Sequence, residues 1–171
     1  MSAWDSTGLS PKDQPRFDYV NRDQIPEELK EVFDSIVGSQ RGVGTLSNGA
    51  LPGPFNGWMY TDPEMARALD GIGMAVRSNT SNVPKTMKEV AICVIGAHFR
   101  SNVEFWAHSR IALAAGVRQE VLDSIYNSEK PSFSDNGEEP FQKAAYDMAM
   151  EYLDGYRVSD ETYQTVLDLL G

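Results

Sequence analysis

A glutamate and a histidine lie four residues apart on a helical stripe that is otherwise apolar. The segment HFRSNVEFWAHSRIALAAG, residues 98–116, has helical periodicity, and its stripe consists of Glu104, His108, Ile111 and Ala115. Histidine titrates near neutral pH, and a carboxylate partner fixes its tautomer. The pair is therefore a candidate for general acid/base chemistry in a pocket.

Both residues also have structural explanations. Ser101 and Glu104 fit a capping box, in which the serine caps the helix and the glutamate reaches back to the backbone N–H of the serine. The box does not account for His108, which lies beyond the first turn. A single histidine on an apolar face is often a core residue with satisfied hydrogen bonds. The sequence leaves the structural and the catalytic interpretation open.

Four residues in or just after the preceding predicted helix have side chains that could also take part in chemistry. Glu89 lies at the entrance of an apolar helix, where the macrodipole favours an acid, and it is the second candidate acid. Arg100 lies between the two helices and can pair with either glutamate or bind a substrate carboxylate through two hydrogen bonds. His98 closes the apolar helix, where a histidine is electrostatically favoured. Cys93 lies inside the apolar run, which indicates a small buried hydrophobe rather than a nucleophile.

Aromatic residues cluster in GPFNGWMY, residues 53–60, just before a predicted helix. One explanation is a loop that its aromatic side chains anchor to the core. The other is a pocket wall formed by Phe55, Trp58 and Tyr60 for an apolar or aromatic ligand, with Asn56 or Tyr60 as the polar contact.

The elements that position these residues are all predicted to be helical. Periodicity predicts an all-α, single-domain bundle of six to seven helices over residues 23–171, preceded by an extended arm at residues 1–22. Residues 38–56 are glycine-rich and predict a loop. The run VAICVIGA is apolar on all sides and predicts a buried helix.

Several local signals define single helices. The first helix, residues 26–37, has one apolar face, and another apolar face is predicted around RQEVLDSIYN. Asp62 and Ser159 are predicted to cap later helices. The two apolar faces consist of Leu29, Val32, Phe33 and Ile36, and of Val117, Val121, Leu122 and Ile125.

Composition restricts the partners. Fifteen Lys and Arg against twenty-five Asp and Glu give a net charge of −10, which disfavours nucleic acid and anionic membranes. One cysteine excludes an intrachain disulfide, and with only two histidines we expect no metal site. No apolar run is long enough to cross a membrane, and no secretory signal pattern precedes the helices. We therefore expect a cytoplasmic protein.

Three stretches together resemble the carboxymuconolactone decarboxylase and alkylhydroperoxidase D superfamily. They are GPFNGWMYTDPEMARAL, KTMKEVAICVIGAHFRSNVEFWAHSRIALAAGV and YDMAMEYLDGYRVSDETY, and they cover most of residues 50–165 in the expected order. The middle stretch is the most specific, with a glutamate in one helix and a second helix that ends in A-x-x-A-G. The resemblance implies an alkylhydroperoxidase D-like helical fold.

The resemblance also implies which chemistry is absent. The peroxidase branch uses two cysteines at the opening of the second helix, with a glutamate upstream and a histidine downstream. Glu89 and His108 fall on the glutamate and the histidine, whereas Ser101 and Glu104 occupy the cysteine positions. Neither residue can perform thiol–disulfide exchange. The decarboxylase-like branch, with E-x-x-x-H here, is more similar.

The resemblance implies a cofactor-independent lyase or isomerase that acts on a small organic acid, lactone or related carbonyl compound. Its catalytic residues would be His108, Glu104 and Glu89, with Arg100 as the carboxylate anchor. It also implies a homo-oligomer, whether trimer, hexamer or dimer. The alternatives are a non-catalytic helical oligomer that binds a small molecule or a partner protein or has a structural role and, as a third, a peroxidase that relies on Cys93 alone.

Overall fold

A computed structural model describes residues 17–38, 44–78 and 82–171 of the chain. These residues form eight α-helices and no β-strand, and Asn21 and Ala50 pair only in an isolated bridge. The predicted all-α class is confirmed. The helices fall into two compact units, Met1–Ser81 and Asn82–Gly171.

The N-terminal unit contains three α-helices: α1 (Glu27–Gly38), α2 (Pro54–Trp58) and α3 (Pro63–Ser78). A 3₁₀ turn at Arg22–Gln24 precedes them. The apolar face predicted for α1 is confirmed, because all four of its residues are buried. Asp62 caps α3 as predicted, since the Glu64 N–H donates to Asp62 Oδ1 at 2.8 Å. The unit's core consists of Ile25, Leu29, Val32, Phe33, Ile36, Leu51, Met59 and Ala66.

The predicted arm and loop are described only in part. Residues 1–16 of the arm and residues 39–43 of the loop lie outside the described residues. The five-residue helix α2 begins inside the predicted loop and accounts for one helix more than the predicted six to seven. It begins at Pro54, whose fixed φ suits a first helical position, after Gly53 at φ 55°.

The C-terminal unit contains α4 (Lys85–His98), α5 (Asn102–Ala115), α6 (Gln119–Tyr126), α7 (Glu139–Gly155) and α8 (Asp160–Leu170). Helix α4 packs against α5, α6 and α7, and α8 packs against α7. Ser159 caps α8 as predicted and accepts a hydrogen bond from the Thr162 N–H at 3.2 Å. The apolar face predicted around α6 is confirmed. The unit's buried core includes Met87, Val90, Cys93, Val94, Ala112, Val117, Val121, Leu122, Ile125, Ala144, Ala145 and Tyr146.

The prediction that the run VAICVIGA in α4 is buried on all sides is wrong at Ile95. Its partner helices cover Val90, Cys93 and Val94, but the Ile95 side chain is 47% exposed. Three neighbours cover only part of a helix's circumference, and hydrophobicity alone does not reveal the open sector. None of the helices in the described ranges is both long and apolar enough to cross a bilayer.

Candidate functional site

In the C-terminal unit, α4 and α5 fold against each other at a corner between them. This arrangement brings Glu89 of α4 next to His108 of α5. Gly96 permits this corner, because a Cβ atom there would lie 3.2 Å from the backbone nitrogen of Phe105 and 3.5 Å from its Cα. A side chain at this position would push against the α5 backbone. The two helices therefore approach closely just where α5 begins.

The turn between the helices is a Schellman motif with an arginine in the left-handed position. Arg100 has φ 52° and donates its N–H to the Ala97 carbonyl at 3.0 Å. The Ser101 N–H donates to the Gly96 carbonyl at 2.8 Å. Glycine usually occupies the left-handed position, because a Cβ atom makes that conformation unfavourable. Arg100 therefore holds a strained backbone beside the opening of α5.

The capping box, one of the two explanations left open for Glu104, does not form. The Ser101 side chain makes no capping hydrogen bond to α5. The Ser101 backbone N–H, which Glu104 would have to reach, already donates to Gly96 in the Schellman turn. The Glu104 carboxylate instead lies toward His108.

His108 and Glu89 form a buried hydrogen-bonded pair across the two helices. His108 Nδ1 lies 2.6 Å from Glu89 Oε2, and the two side chains are only 5% and 9% exposed. An ionised carboxylate only accepts hydrogen bonds, so Nδ1 carries the hydrogen when Glu89 is charged. This bond fixes the ring orientation and leaves Nε2 as the nitrogen that can exchange a proton. The predicted pairing of His108 with Glu104 is thus secondary to its pairing with Glu89.

Glu104 approaches the other nitrogen of the ring. Its Oε2 lies 3.5 Å from His108 Nε2, beyond the usual N–H···O range of about 2.7–3.2 Å. The Glu104 side chain is 43% exposed. Glu89, His108 and Glu104 therefore form a line from the interior to the surface, with His108 in the middle.

This line of groups does not resemble a metal site. Glu89 and Glu104 approach opposite nitrogens of one imidazole ring, so a single ion cannot contact both carboxylates and the ring. In the described ranges, no group of three or more His, Cys, Asp or Glu side chains could hold a metal ion.

Arg100 and His98 lie at the exposed end of the same corner. Both side chains are exposed, and the His98 ring packs edge-on against Phe99 at 4.8 Å between centroids. Among the described residues, Glu89 and Glu104 form ion pairs with His108 and not with Arg100. Arg100 remains a predicted carboxylate anchor, and its pairing with the two glutamates is not formed.

Cys93 is a buried thiol, as its position in the apolar run predicts. Its side chain is inaccessible. Burial, with a smaller contribution from the charge of Glu89, raises the pKa of Cys93 to about 12. A thiol with this pKa is not a nucleophile near neutral pH, because the thiolate is the reactive form.

The four predicted substrate-binding residues of residues 55–60 lie in the N-terminal unit. Asn56 is buried; its Nδ2 donates to the Asp18 carbonyl at 3.1 Å, and its Oδ1 accepts the Val20 N–H at 3.1 Å. The Tyr60 hydroxyl also donates to the Asp18 carbonyl, at 2.8 Å. The polar groups of both residues therefore anchor the segment before α1.

The apolar members of this cluster contact each other. The rings of Phe55 and Trp58 meet edge to face at 4.9 Å, and both pack against the core of the N-terminal unit. Tyr60 stacks on Phe17. These contacts agree with an anchored segment, and a role as a pocket wall stays a prediction.

An open groove of about 1320 Å³ runs between α7 and α8. Half of its lining residues are charged, and they include Lys143, Asp147, Glu151, Arg157 and Asp168. None of the predicted catalytic or substrate-binding residues lines it. The groove and the Glu89–His108–Glu104 line are separate features of the C-terminal unit.

The structure also reveals a buried polar residue that the sequence analysis did not single out. Gln142 lies in α7, is 2% exposed, and its Oε1 has no hydrogen-bond partner among the described residues. The available signal was a polar residue at helical spacing from Ala145 and Tyr146, on the core-facing side of an amphipathic helix.

Comparison with known proteins gives no match: no family model, curated protein or solved structure matches this chain. The resemblance to the decarboxylase and alkylhydroperoxidase D superfamily therefore depends on the quoted residues alone.

Proposed function

We propose that the chain is a cofactor-independent acid/base enzyme of the carboxymuconolactone decarboxylase-like type, acting on a small organic acid, lactone or related carbonyl compound. The observation that supports this proposal is the buried His108, bonded to Glu89 at 2.6 Å and facing the half-exposed Glu104 at 3.5 Å. A histidine fixed in this way can exchange protons repeatedly without reorienting.

In the proposed mechanism, His108 Nε2 removes a proton from the carbon next to a substrate carbonyl. The C–H electron pair moves into the carbonyl to form an enolate, and Glu89 stabilises the imidazolium through Nδ1–H. The imidazolium then returns the proton to the substrate, or passes it to Glu104, which exchanges it with water. In a decarboxylation, His108 begins as the imidazolium, protonated from water through Glu104. The electron pair of the breaking C–C bond forms the enolate as carbon dioxide leaves, and His108 Nε2 then donates its proton to the carbon.

Arg100 would bind the substrate carboxylate in this mechanism. Its guanidinium is exposed beside the opening of α5, and a left-handed arginine in place of the usual glycine costs stability. A strained residue that carries a guanidinium at this place is consistent with a ligand-binding role.

Hydrogen exchange tests the proposal without knowledge of the complete reaction. A panel of small lactones and oxo acids is incubated with the protein in deuterium oxide, and NMR follows deuterium entering the carbon next to the carbonyl. We expect at least one compound to exchange faster with the wild type than with buffer, and His108→Gln to abolish the acceleration.

His98→Gln is the matched control, because it removes the other histidine of the chain at an exposed position. It should keep the wild-type exchange rate. Thermal unfolding establishes that both variants fold. If a folded His108→Gln variant retains full exchange, the proposed role of His108 is wrong.

The second candidate function is a non-catalytic helical protein that binds a small molecule or a partner, including a homo-oligomer. The observation that favours it is the near-complete burial of the His108 side chain, which is 5% exposed and paired with Glu89. In this case the pair stabilises the packing of α4 on α5. No compound of the panel would then exchange faster than in buffer, although binding would remain detectable.

The peroxidase alternative is disfavoured by the buried Cys93 and its pKa of about 12. Peroxide consumption by the wild type that Cys93→Ser abolishes would reinstate it. The cytoplasmic location and the oligomeric state stay predictions.

A further inference from the structure

Tyr146 is a buried residue of α7 whose hydroxyl group has no partner among the described residues. The residue is only 9% exposed, and it lines the groove between α7 and α8. Its ring packs against that of Phe133. A buried tyrosine hydroxyl usually has a hydrogen-bond partner. The groove is the side from which a partner outside the chain can reach this hydroxyl.

Two carboxylates lie near the Tyr146 hydroxyl group. Burial raises the pKa of Tyr146, and the negative charges of Asp147 and Asp154 raise it further. Both aspartates also line the groove. The Asp147 carboxylate pairs with Lys143, whereas the exposed Asp154 forms no ion pair within the described part of the chain. Asp154 is therefore available to a cation beside Tyr146.

The groove as a whole has an excess of negative charge. Its lining contains seven acidic side chains and only three basic ones. The carbonyl groups at the C-terminal end of α7, beside Asp154, add a partial negative charge. The acidic residues that the two helices contribute are Asp147, Glu151 and Asp154 from α7 and Asp160, Glu161 and Asp168 from α8. A cation is therefore the ligand that this groove favours.

The arrangement of the acidic side chains suits an extended organic cation. Across the described ranges, no three His, Cys, Asp or Glu side chains are placed to hold one metal ion. Asp147, Glu151 and Asp154 instead follow one another along α7 at a rise of about 4.5–6 Å. Ammonium groups joined by three or four methylenes have a similar spacing. The methylenes can contact Met150 and Leu169, which also line the groove.

We propose that the groove between α7 and α8 binds a linear polyamine, of which one ammonium group donates a hydrogen bond to the Tyr146 hydroxyl oxygen and pairs with Asp154. The other ammonium groups contact the acidic side chains along α7 and α8. This site is separate from the Glu89–His108–Glu104 line and does not depend on the proposed acid/base function.

Spermidine is the probe for this site, and calorimetric titration measures its affinity. The titration is done in about 0.15 M NaCl, where the Debye length is about 8 Å and distant attraction to the net charge of −10 is screened. Backbone NMR shifts locate the bound spermidine. We expect one saturable site with the largest shifts in α7 and α8. Magnesium chloride at the same concentration should not reproduce these shifts.

Two variants of the groove test the named contacts. Tyr146→Phe should weaken spermidine binding about threefold or more and should not lower the unfolding temperature, because the hydroxyl has no partner in the fold. Asp154→Asn should weaken binding about two- to fivefold, as the loss of an exposed ion pair does. Asp123→Asn is the matched control, because Asp123 is also an exposed aspartate in the last turn of a helix but does not line the groove.

The control should bind spermidine with the affinity of the wild type. Weaker binding by both groove variants and an unchanged control support the site, and Asp154→Asn alone decides if Tyr146→Phe does not fold. Absence of saturable binding, an unchanged affinity in Asp154→Asn or equal weakening in Asp123→Asn overturns it. Shifts that magnesium reproduces also overturn it, because charge alone then explains them. An unchanged affinity in a folded Tyr146→Phe variant overturns the contact with the hydroxyl.

Discussion

Gly96→Ala tests whether the close approach of α4 and α5 is needed for the site. Replacing glycine by alanine inside a helix gains about 1 kcal/mol of helix propensity. The new Cβ atom would lie 3.2 Å from the Phe105 nitrogen, which is closer than ordinary van der Waals contact. Overpacking of this kind costs about 1–3 kcal/mol. The obstructing atom belongs to the α5 backbone, so we expect a net destabilisation of about 1 kcal/mol.

The same substitution should affect the site. Relief of the contact requires α5 to move by a few tenths of an ångström, and α5 carries both Glu104 and His108. The 2.6 Å bond between His108 and Glu89 joins α5 to α4, so it should lengthen. We therefore expect slower deuterium exchange together with the loss of stability.

Urea unfolding of Gly96→Ala and of a control, Gly155→Ala, measures the effect. Gly155 is the last residue of α7 in the same unit, and a Cβ atom there would meet nothing within 4 Å. The control should gain about 0.5 kcal/mol of stability and keep its exchange rate. If Gly96→Ala is stabilised as much as the control and exchanges normally, the close approach is not a constraint on the site.

Three further predictions concern strain, the thiol and a helix cap. Arg100→Gly should stabilise the protein by about 1 kcal/mol in urea unfolding and slow the exchange of carboxylate-bearing compounds, whereas Ser128→Gly, also left-handed at φ 60°, should bring the stability gain alone. Cys93 should not react with Ellman's reagent at pH 8 in the folded protein and should react in urea; rapid reaction in the native state would contradict its burial and its pKa of about 12. Hydrogen bonds from the first turn of α8 and its cap lower the pKa of Glu151 below its ordinary value of 4.5. Glu151→Gln should therefore destabilise the protein at neutral pH, and the difference should close as the pH falls through the lowered value; a difference that persists in acid would refute this reasoning.

Local signals predicted the local structure well. The caps at Asp62 and Ser159 depend on residues two or three positions away, and both form. The buried face of α1 follows from periodicity within one helix. The box at Ser101 failed although its residue pattern is local, because the end of α4 takes the N–H that the box requires.

Tertiary relations were harder to predict. Glu89 and His108 are nineteen residues apart, and only the resemblance placed them in one site; the structure makes Glu89 the closer partner of the histidine, ahead of Glu104. Gln142 escaped notice because α7 carries several polar residues, and the sequence alone does not show which of them face the core. The open sector of α4 at Ile95 likewise depends on which helices pack around it.

A crystal structure with the fastest-exchanging lactone or oxo acid tests the central claim most directly. The account predicts that the carbon next to the ligand carbonyl lies within about 3–3.5 Å of His108 Nε2, with Glu89 still bonded to Nδ1. A ligand bound in the α7–α8 groove, with the His108 ring still enclosed by protein, would contradict it.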